Sequence, residues 1–192
     1  HILQSRTPDL SPQMRVRLYD LYFLTLRAGH CGQGFDIYGL DYRLNECIET
    51  GDTQDLLKAV ISTHRLKSAV PAGNLARMGA EIGGGTAEQV EALGFYFESI
   101  GIAFQIIDDV LNLASTQLGK INGEDLHEGK ITYPVARAMG AFNVEERKLF
   151  WERLQSKPDY DVVKVMIDDL VRVNAIQDSR DDATNMVEEA FK

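Results

Sequence analysis

Phe104-Gln105-Ile106-Ile107-Asp108-Asp109-Val110-Leu111-Asn112 sets two adjacent carboxylates inside a stretch that is apolar on nearly every other side. At about 100° per residue, Gln105, Asp108, Asp109 and Asn112 share one helical stripe about 100° wide. Gly101 falls on the same stripe and adds no bulk, while Ile100, Ala103, Phe104, Ile106, Ile107, Val110 and Leu111 cover the rest. A surface helix has the opposite proportions, a broad polar face and a narrower apolar one. The acids are therefore expected to face an internal polar cavity. Two carboxylates in a partly dry cavity need a compensating positive charge, and oxygen-only ligands point to a hard divalent cation such as Mg2+. Asp168-Asp169 and Asp181-Asp182 read instead as solvated faces.

Outward from this segment the pattern is helical throughout, with no alternating β-branched run to suggest a strand. Ser11-Pro12 supplies a cap and first residue for a long helix toward Tyr38. Residues 39–50 read as a break or short helix. A second helix spans about 53–70, and Pro71 is expected to kink or end it. A further piece runs to about Ile82 and closes at Gly83-Gly84-Gly85. Thr86 with Gln89 forms a capping box opening the helix of the acid pair. Residues 114–133 read as a loop. Pro134 starts another helix, Asn143 with Glu146 caps the next, and residues 160–174 and 179–191 complete an all-α chain read as a single domain over 1–192.

The 192 residues suffice for a sizeable core. A net charge of −9 argues against nucleic acid as the main partner and against a polybasic membrane patch. No apolar run is read as reaching the roughly 20 residues of a transmembrane segment. Cys31 and Cys47 lack metal-ligand spacing and read as buried free thiols, which fits a reducing, cytoplasmic setting. The chain opens at His1 in a short Ile2-Leu3-Gln4 piece, and is expected to be a fragment of something longer.

Polar groups gather in three other stretches. Gln33 and Asp36 lie one turn apart in Gly32-Gln33-Gly34-Phe35-Asp36-Ile37. Lys67 and Ser68 sit in His64-Arg65-Leu66-Lys67-Ser68, and Lys120 and Lys130 in the Gly-flanked loop that follows the acid helix. Singly, each has an ordinary reading: a snorkelling lysine, a loop charge, a local hydrogen-bonded pair. His30, His64 and His127 read as packing or surface residues. Together, carboxylates for Mg2+ and lysines from a helix and a loop match what a diphosphate group needs, with apolar walls for a hydrocarbon chain.

In order, GQGFDI, HRLKSA, FQIIDDVLN and GKINGEDLHEGKITYP resemble the C-terminal half of the trans-isoprenyl diphosphate synthases, the family of farnesyl and geranylgeranyl diphosphate synthases. The resemblance runs from about Gly29 to Tyr133. It implies an isoprenoid-synthase-type helical bundle around a central cavity, with N-terminal helices missing from this chain. It implies chain elongation by condensation of an allylic diphosphate with isopentenyl diphosphate, to geranylgeranyl diphosphate, in a homo-oligomer. Asp108 would be a magnesium ligand supported by Asp109, with Asn112 where many members have a third Asp. Lys67, Lys120 and Lys130 would contact the allylic diphosphate. Ser68 replaces a usual Thr, Gln105, Gln33 and Asp36 would line the cavity, and Asp125 would order the loop. HRLKSAVPAG and LARMGAEIGGGT resemble most the prenyltransferase domain of fungal bifunctional terpene synthases of the fusicoccadiene synthase type.

The family's first aspartate-rich motif is absent from this sequence, as is the half that holds isopentenyl diphosphate. Two rivals follow. A non-catalytic partner subunit would usually lose the metal acids or loop lysines, and this chain keeps both. A class I terpene cyclase would need a hydroxyl where Asn185 stands between Asp181-Asp182 and Glu189.

Overall fold

Four of the described helices begin where a side chain caps them, at Ser11, Thr86, Asn143 and Asp159. A computed structural model describes residues 10–114 and 122–192, with no strand among them. The Ser11 side chain accepts from Met14 N–H and opens α1, Pro12–Tyr38, with proline in its first turn. A 3₁₀ turn at Asp41–Arg43 leads into α2, Leu44–Thr50. Next comes α3, Gln54–His64. A π-helical turn, Arg65–Ala69, then runs without a break into α4, Val70–Ile82.

Pro71 thus neither ends nor sharply divides the helix, contrary to the expectation from sequence. Proline lacks an N–H and crowds the carbonyl four residues back. The widened turn just upstream, where Val70 N–H reaches back to Arg65 O, absorbs that conflict.

Thr86 and Gln89 exchange the two hydrogen bonds of a capping box at the start of α5, Ala87–Ala114. A one-turn helix, α6, Glu124–His127, stands inside the segment read as loop. Then follow α7, Tyr133–Ala141, and α8, Val144–Gln155, the latter opened by the Asn143–Glu146 box. The last two are α9, Tyr160–Arg172, and α10, Ala175–Phe191, which starts a turn earlier than its periodicity suggests.

The central helix is α5, packed by α4, α10, α7 and the π-helical turn. By length and composition it is long and apolar enough to cross a membrane, with a mean hydropathy of 1.4 over its best window. The core helix of a helical bundle meets the same test, so no clear membrane span follows from it. One side of α5 packs on neighbouring helices through Val90, Ala103, Ile106, Val110 and Leu113 and buries Glu98 and Asp109, while Phe95, Phe104 and Leu111 stay exposed. One core cluster holds Leu44, Leu56, Ile106, Met139, Phe150, Leu154 and Met166. Cys47 belongs to it, but Cys31 is exposed, because α1 turns Gly32 and not its neighbour toward the bundle.

Two close approaches set the middle of the molecule. At Gly32 an added Cβ would lie 2.7 Å from the Leu66 carbonyl carbon and the Lys67 Cα. At Gly101 it would lie 2.6 Å from Ala69 Cα. Glycines on α1 and α5 therefore let both helices lie directly on the backbone of the π-helical turn. Nearby, buried Glu98 takes Arg65 at 3.1 Å and Arg77 at 2.8 Å, tying that turn and α4 to α5.

The two acid pairs read as solvated faces are partly engaged. Asp182 accepts from Tyr133 Oη at 3.0 Å and pairs with Arg137 at 3.2 Å, while Asp169 pairs with Arg153 at 3.3 Å. Their partners are distant in sequence, so periodicity alone does not reveal them.

Candidate active-site cleft

Four parts of the chain meet around a cleft of about 1270 Å³. The end of α1 supplies Gln33 and Asp36, and the α3–π junction supplies His64 and Lys67. Gln105, Asp108, Asp109 and Asn112 come from α5, and Asp125 and Lys130 from residues 124–132. Ser68 is half-buried and does not line the cleft. Lys120 lies outside the described residues.

The acid pair is divided between two environments. Asp108 is exposed in the cleft, on one face with Phe104 (63% exposed) and Leu111 (53%). Asp109 is buried, on the face that carries Ile106, Val110 and Leu113 into the core. Sequence reading put both acids on one stripe facing the cavity. Successive helical residues are about 100° apart, and the bundle has turned that rotation into a split: one carboxylate faces the cleft and one is held by the protein.

The Asp109 carboxylate is satisfied from two sides. Its Oδ2 is 3.1 Å from His64 Nε2 and accepts the Tyr133 N–H at 2.8 Å. A buried carboxylate is costly unless hydrogen-bonded, and these two contacts meet that need. Neither partner was legible from sequence. His64 has the ordinary reading of a packed helix histidine, and its partner is 45 residues away. Its place three residues before Lys67 is the only local signal.

Three described lysines line the cleft, Lys67, Lys130 and Lys157, and the first two are ion-paired. Lys67 Nζ lies 2.8 Å from Asp36 Oδ2, an ion pair between the π-helical turn and α1. Lys130 Nζ reaches Asp125 at 3.1 Å and Glu128 at 2.6 Å. Burial alone would lower the Lys130 pKa, but the hydrogen bonds to Glu128 and Asp125 carry it well above the ordinary lysine value. Burial pushes the Asp125 carboxyl up, with Lys130 opposing and the charge of Asp109 adding to the rise.

Asn112 is committed to the chain. Its side-chain oxygen accepts Asp125 N–H at 3.2 Å and its carbonyl accepts Gly123 N–H at 2.8 Å, pinning the start of α6 to the end of α5. Among the described residues no group of three His, Cys, Asp or Glu side chains forms a metal cage. The donor set does fit Mg2+ of the kind bound through one or two carboxylates, with water and ligand phosphates completing the octahedron. Asp108 is the carboxylate placed for it.

Comparison with known proteins extends this picture. The chain is 36% identical over 148 residues to geranylgeranyl pyrophosphate synthase 10, mitochondrial, of Arabidopsis thaliana, covering 76% of this chain and 40% of that one. It is 35% identical over 139 residues to geranylgeranyl pyrophosphate synthase 6, mitochondrial, of the same plant, covering 70% and 39%. The chain thus spans well under half the length of these relatives. In fold it resembles the geranylgeranyl pyrophosphate synthetase of Pyrococcus horikoshii Ot3, with a TM-score of 0.75 at 23% identity over 95% of this chain and 53% of that one. A polyprenyl synthase from Roseobacter denitrificans gives 0.72 at 26% identity, over 91% and 54%. The fold is the all-α isoprenoid synthase fold of these neighbours. With the Polyprenyl synthetase family profile matching residues 2–170, nearly the whole chain, this protein belongs to that family.

Proposed function

We propose that the full-length protein is a Mg2+-dependent prenyltransferase that condenses an allylic diphosphate with isopentenyl diphosphate, yielding geranylgeranyl diphosphate. The observation that carries this reading is the cleft itself. It sets Asp108 among Lys67, Lys130 and apolar Phe104 and Leu111, which suits a charged head and a hydrocarbon tail. Lys67 and Lys130 take the negative charge that grows on the departing diphosphate. Asp36 aims Lys67 across the cleft, and Gln33 and Gln105 offer neutral hydrogen bonds to the same head group. Phe104 and Leu111 keep water from the allylic carbon, so that isopentenyl diphosphate attacks it in place of solvent. A proton is then lost to restore the double bond. Mg2+, held by Asp108, supplies Lewis acidity at the diphosphate oxygens when bound. Lys120, with Asp109 and Asn112 in support, completes the proposed set.

The test is an assay of the full-length protein with farnesyl and isopentenyl diphosphates, with and without Mg2+. Geranylgeranyl diphosphate should form only with the cation, and Asp108→Asn should lower kcat/KM by about a hundredfold. A full-length protein that binds diphosphate but turns over no allylic substrate would replace this reading with that of a silent partner subunit. The HRLKSAVPAG and LARMGAEIGGGT wording supports a finer proposal, that the domain sits downstream of a terpene cyclase. Intact mass and the complete coding sequence test it. A cytoplasmic homo-oligomer is also proposed, to be tested by cell fractionation and sedimentation.

A further inference from the structure

We propose that His64 is a positioning residue of this cleft. Its imidazole holds Asp109, and through Asp109 it sets the helix that presents Asp108 against the turn that presents Lys67. The inference rests on the reading of the cleft as a cation–diphosphate site.

Three distant parts of the chain converge on one oxygen. His64 closes α3, Asp109 lies in α5, and Tyr133 opens α7, and both contacts fall on Asp109 Oδ2. His64 and Asp109 are each 9% exposed, so the contact is shielded from competing water. A carboxylate only accepts, so with Asp109 ionised the proton of this hydrogen bond belongs to His64 Nε2. The geometry on either side makes the contact consequential. Asp109 is next to Asp108, so fixing the rotation of α5 about its axis fixes where the Asp108 carboxylate stands in the cleft. His64 is the residue before the π-helical turn, so fixing it fixes where that turn begins and hence where Lys67 leaves the helix. Glycine contacts at Gly32 and Gly101 choose the faces of α1 and α5 that meet the same turn. The hydrogen bond adds an angular constraint on α5 at the level of the acid pair, because its strength falls steeply with misalignment. Groups behind a metal ligand commonly govern affinity in this way.

The experiment uses full-length protein with Mn2+ and inorganic diphosphate as probes. Mn2+ binding is read by electron paramagnetic resonance, and thermal unfolding is followed in parallel. His64→Asn, whose amide is too short to reach Asp109, should weaken Mn2+ binding in the presence of diphosphate by about ten- to a hundredfold. His64→Gln, which carries a donor near the position of Nε2, should recover most of it. With allylic substrate the same loss should fall on KM for the diphosphate more than on kcat. His64→Asn binding Mn2+ and diphosphate like the parent would overturn the inference while leaving the cleft reading intact. So would equal impairment of the Asn and Gln variants at unchanged melting temperature. A parent protein that binds no Mn2+ in the presence of diphosphate would overturn the cleft reading itself.

Discussion

Two glycines two residues apart on α1 should respond to the same substitution with opposite signs. In a helix interior alanine is favoured over glycine by about 1 kcal/mol. At Gly34 an added Cβ meets nothing within 4 Å, so Gly34→Ala should raise stability by about 0.5–1 kcal/mol. At Gly32 the same methyl lands 2.7 Å from two backbone carbons of Leu66 and Lys67, with the Lys67 amide nitrogen closer still. Backbone cannot rotate aside as a side chain would, so the overpacking cost belongs at the upper end of the usual range, about 3 kcal/mol. After the propensity gain, Gly32→Ala should lose about 2 kcal/mol. Urea denaturation resolves the contrast. With a slope of about 2 kcal/mol per M, the two midpoints should stand more than about 1 M apart. Gly32→Ala should also weaken diphosphate binding, because the displaced atoms belong to Lys67. A Gly32→Ala midpoint at or above that of Gly34→Ala would refute the close approach and the argument built on it.

Glu98→Gln strips the charge that faces Arg65 and Arg77 at 3.1 and 2.8 Å. It should cost about 2–3 kcal/mol in chemical denaturation, below the fully buried case because Arg65 is largely solvated; a loss under about 0.5 kcal/mol would count against the clamp. Arg147 is buried and donates to the carbonyls of Ile48 and Phe142, the latter just past the end of α7. Arg147→Leu should therefore lose about 3 kcal/mol by leaving these acceptors unmet, with Arg147→Lys recovering only part, and a near-neutral Leu variant would contradict this. The Tyr133 phenol is pushed up to about 12, by burial first and then by its hydrogen bond to Asp182. Its folded pKa lies above the unfolded value of about 10, so the stability it contributes is whole below about pH 10 and drains away as pH rises toward 12. Alkaline unfolding of Tyr133→Phe should lack that component; matching pH profiles for parent and variant would refute it.

Helix ends written in local chemistry were legible in the sequence: Ser11-Pro12, Thr86 with Gln89, and Asn143 with Glu146 each cap where expected. So was the gathering of Gln33, Asp36, Lys67, Gln105, Asp108 and Lys130, because polar residues in apolar or glycine-rich settings stand out. What escaped depends on tertiary context. A proline signals trouble for a helix but does not say whether it breaks, kinks or widens, and here the turn just upstream widens. Helical periodicity placed Asp108 and Asp109 on one stripe, yet packing chose an axis rotation that separates them. His64, Asp169 and Asp182 take their roles from partners far along the chain, which no local pattern encodes. Cys31 is exposed although its surroundings are apolar, since only one side of α1 meets the bundle.

The pairing of Lys67 with Asp36, and of Lys130 with Asp125 and Glu128, has a consequence for the form in which a ligand arrives. The cleft supplies its own counter-ions. To reach Lys67 and Lys130 a bare diphosphate would have to displace their carboxylates and would then face those same carboxylates as like charges, with Asp108 adding another. A diphosphate already carrying a divalent cation meets a different landscape, in which the acids become partners of the cation and the lysines are released to the outer oxygens. On the proposed reading of the cleft, the lining would work as an ion exchanger, favouring the neutralised complex over its unescorted anion.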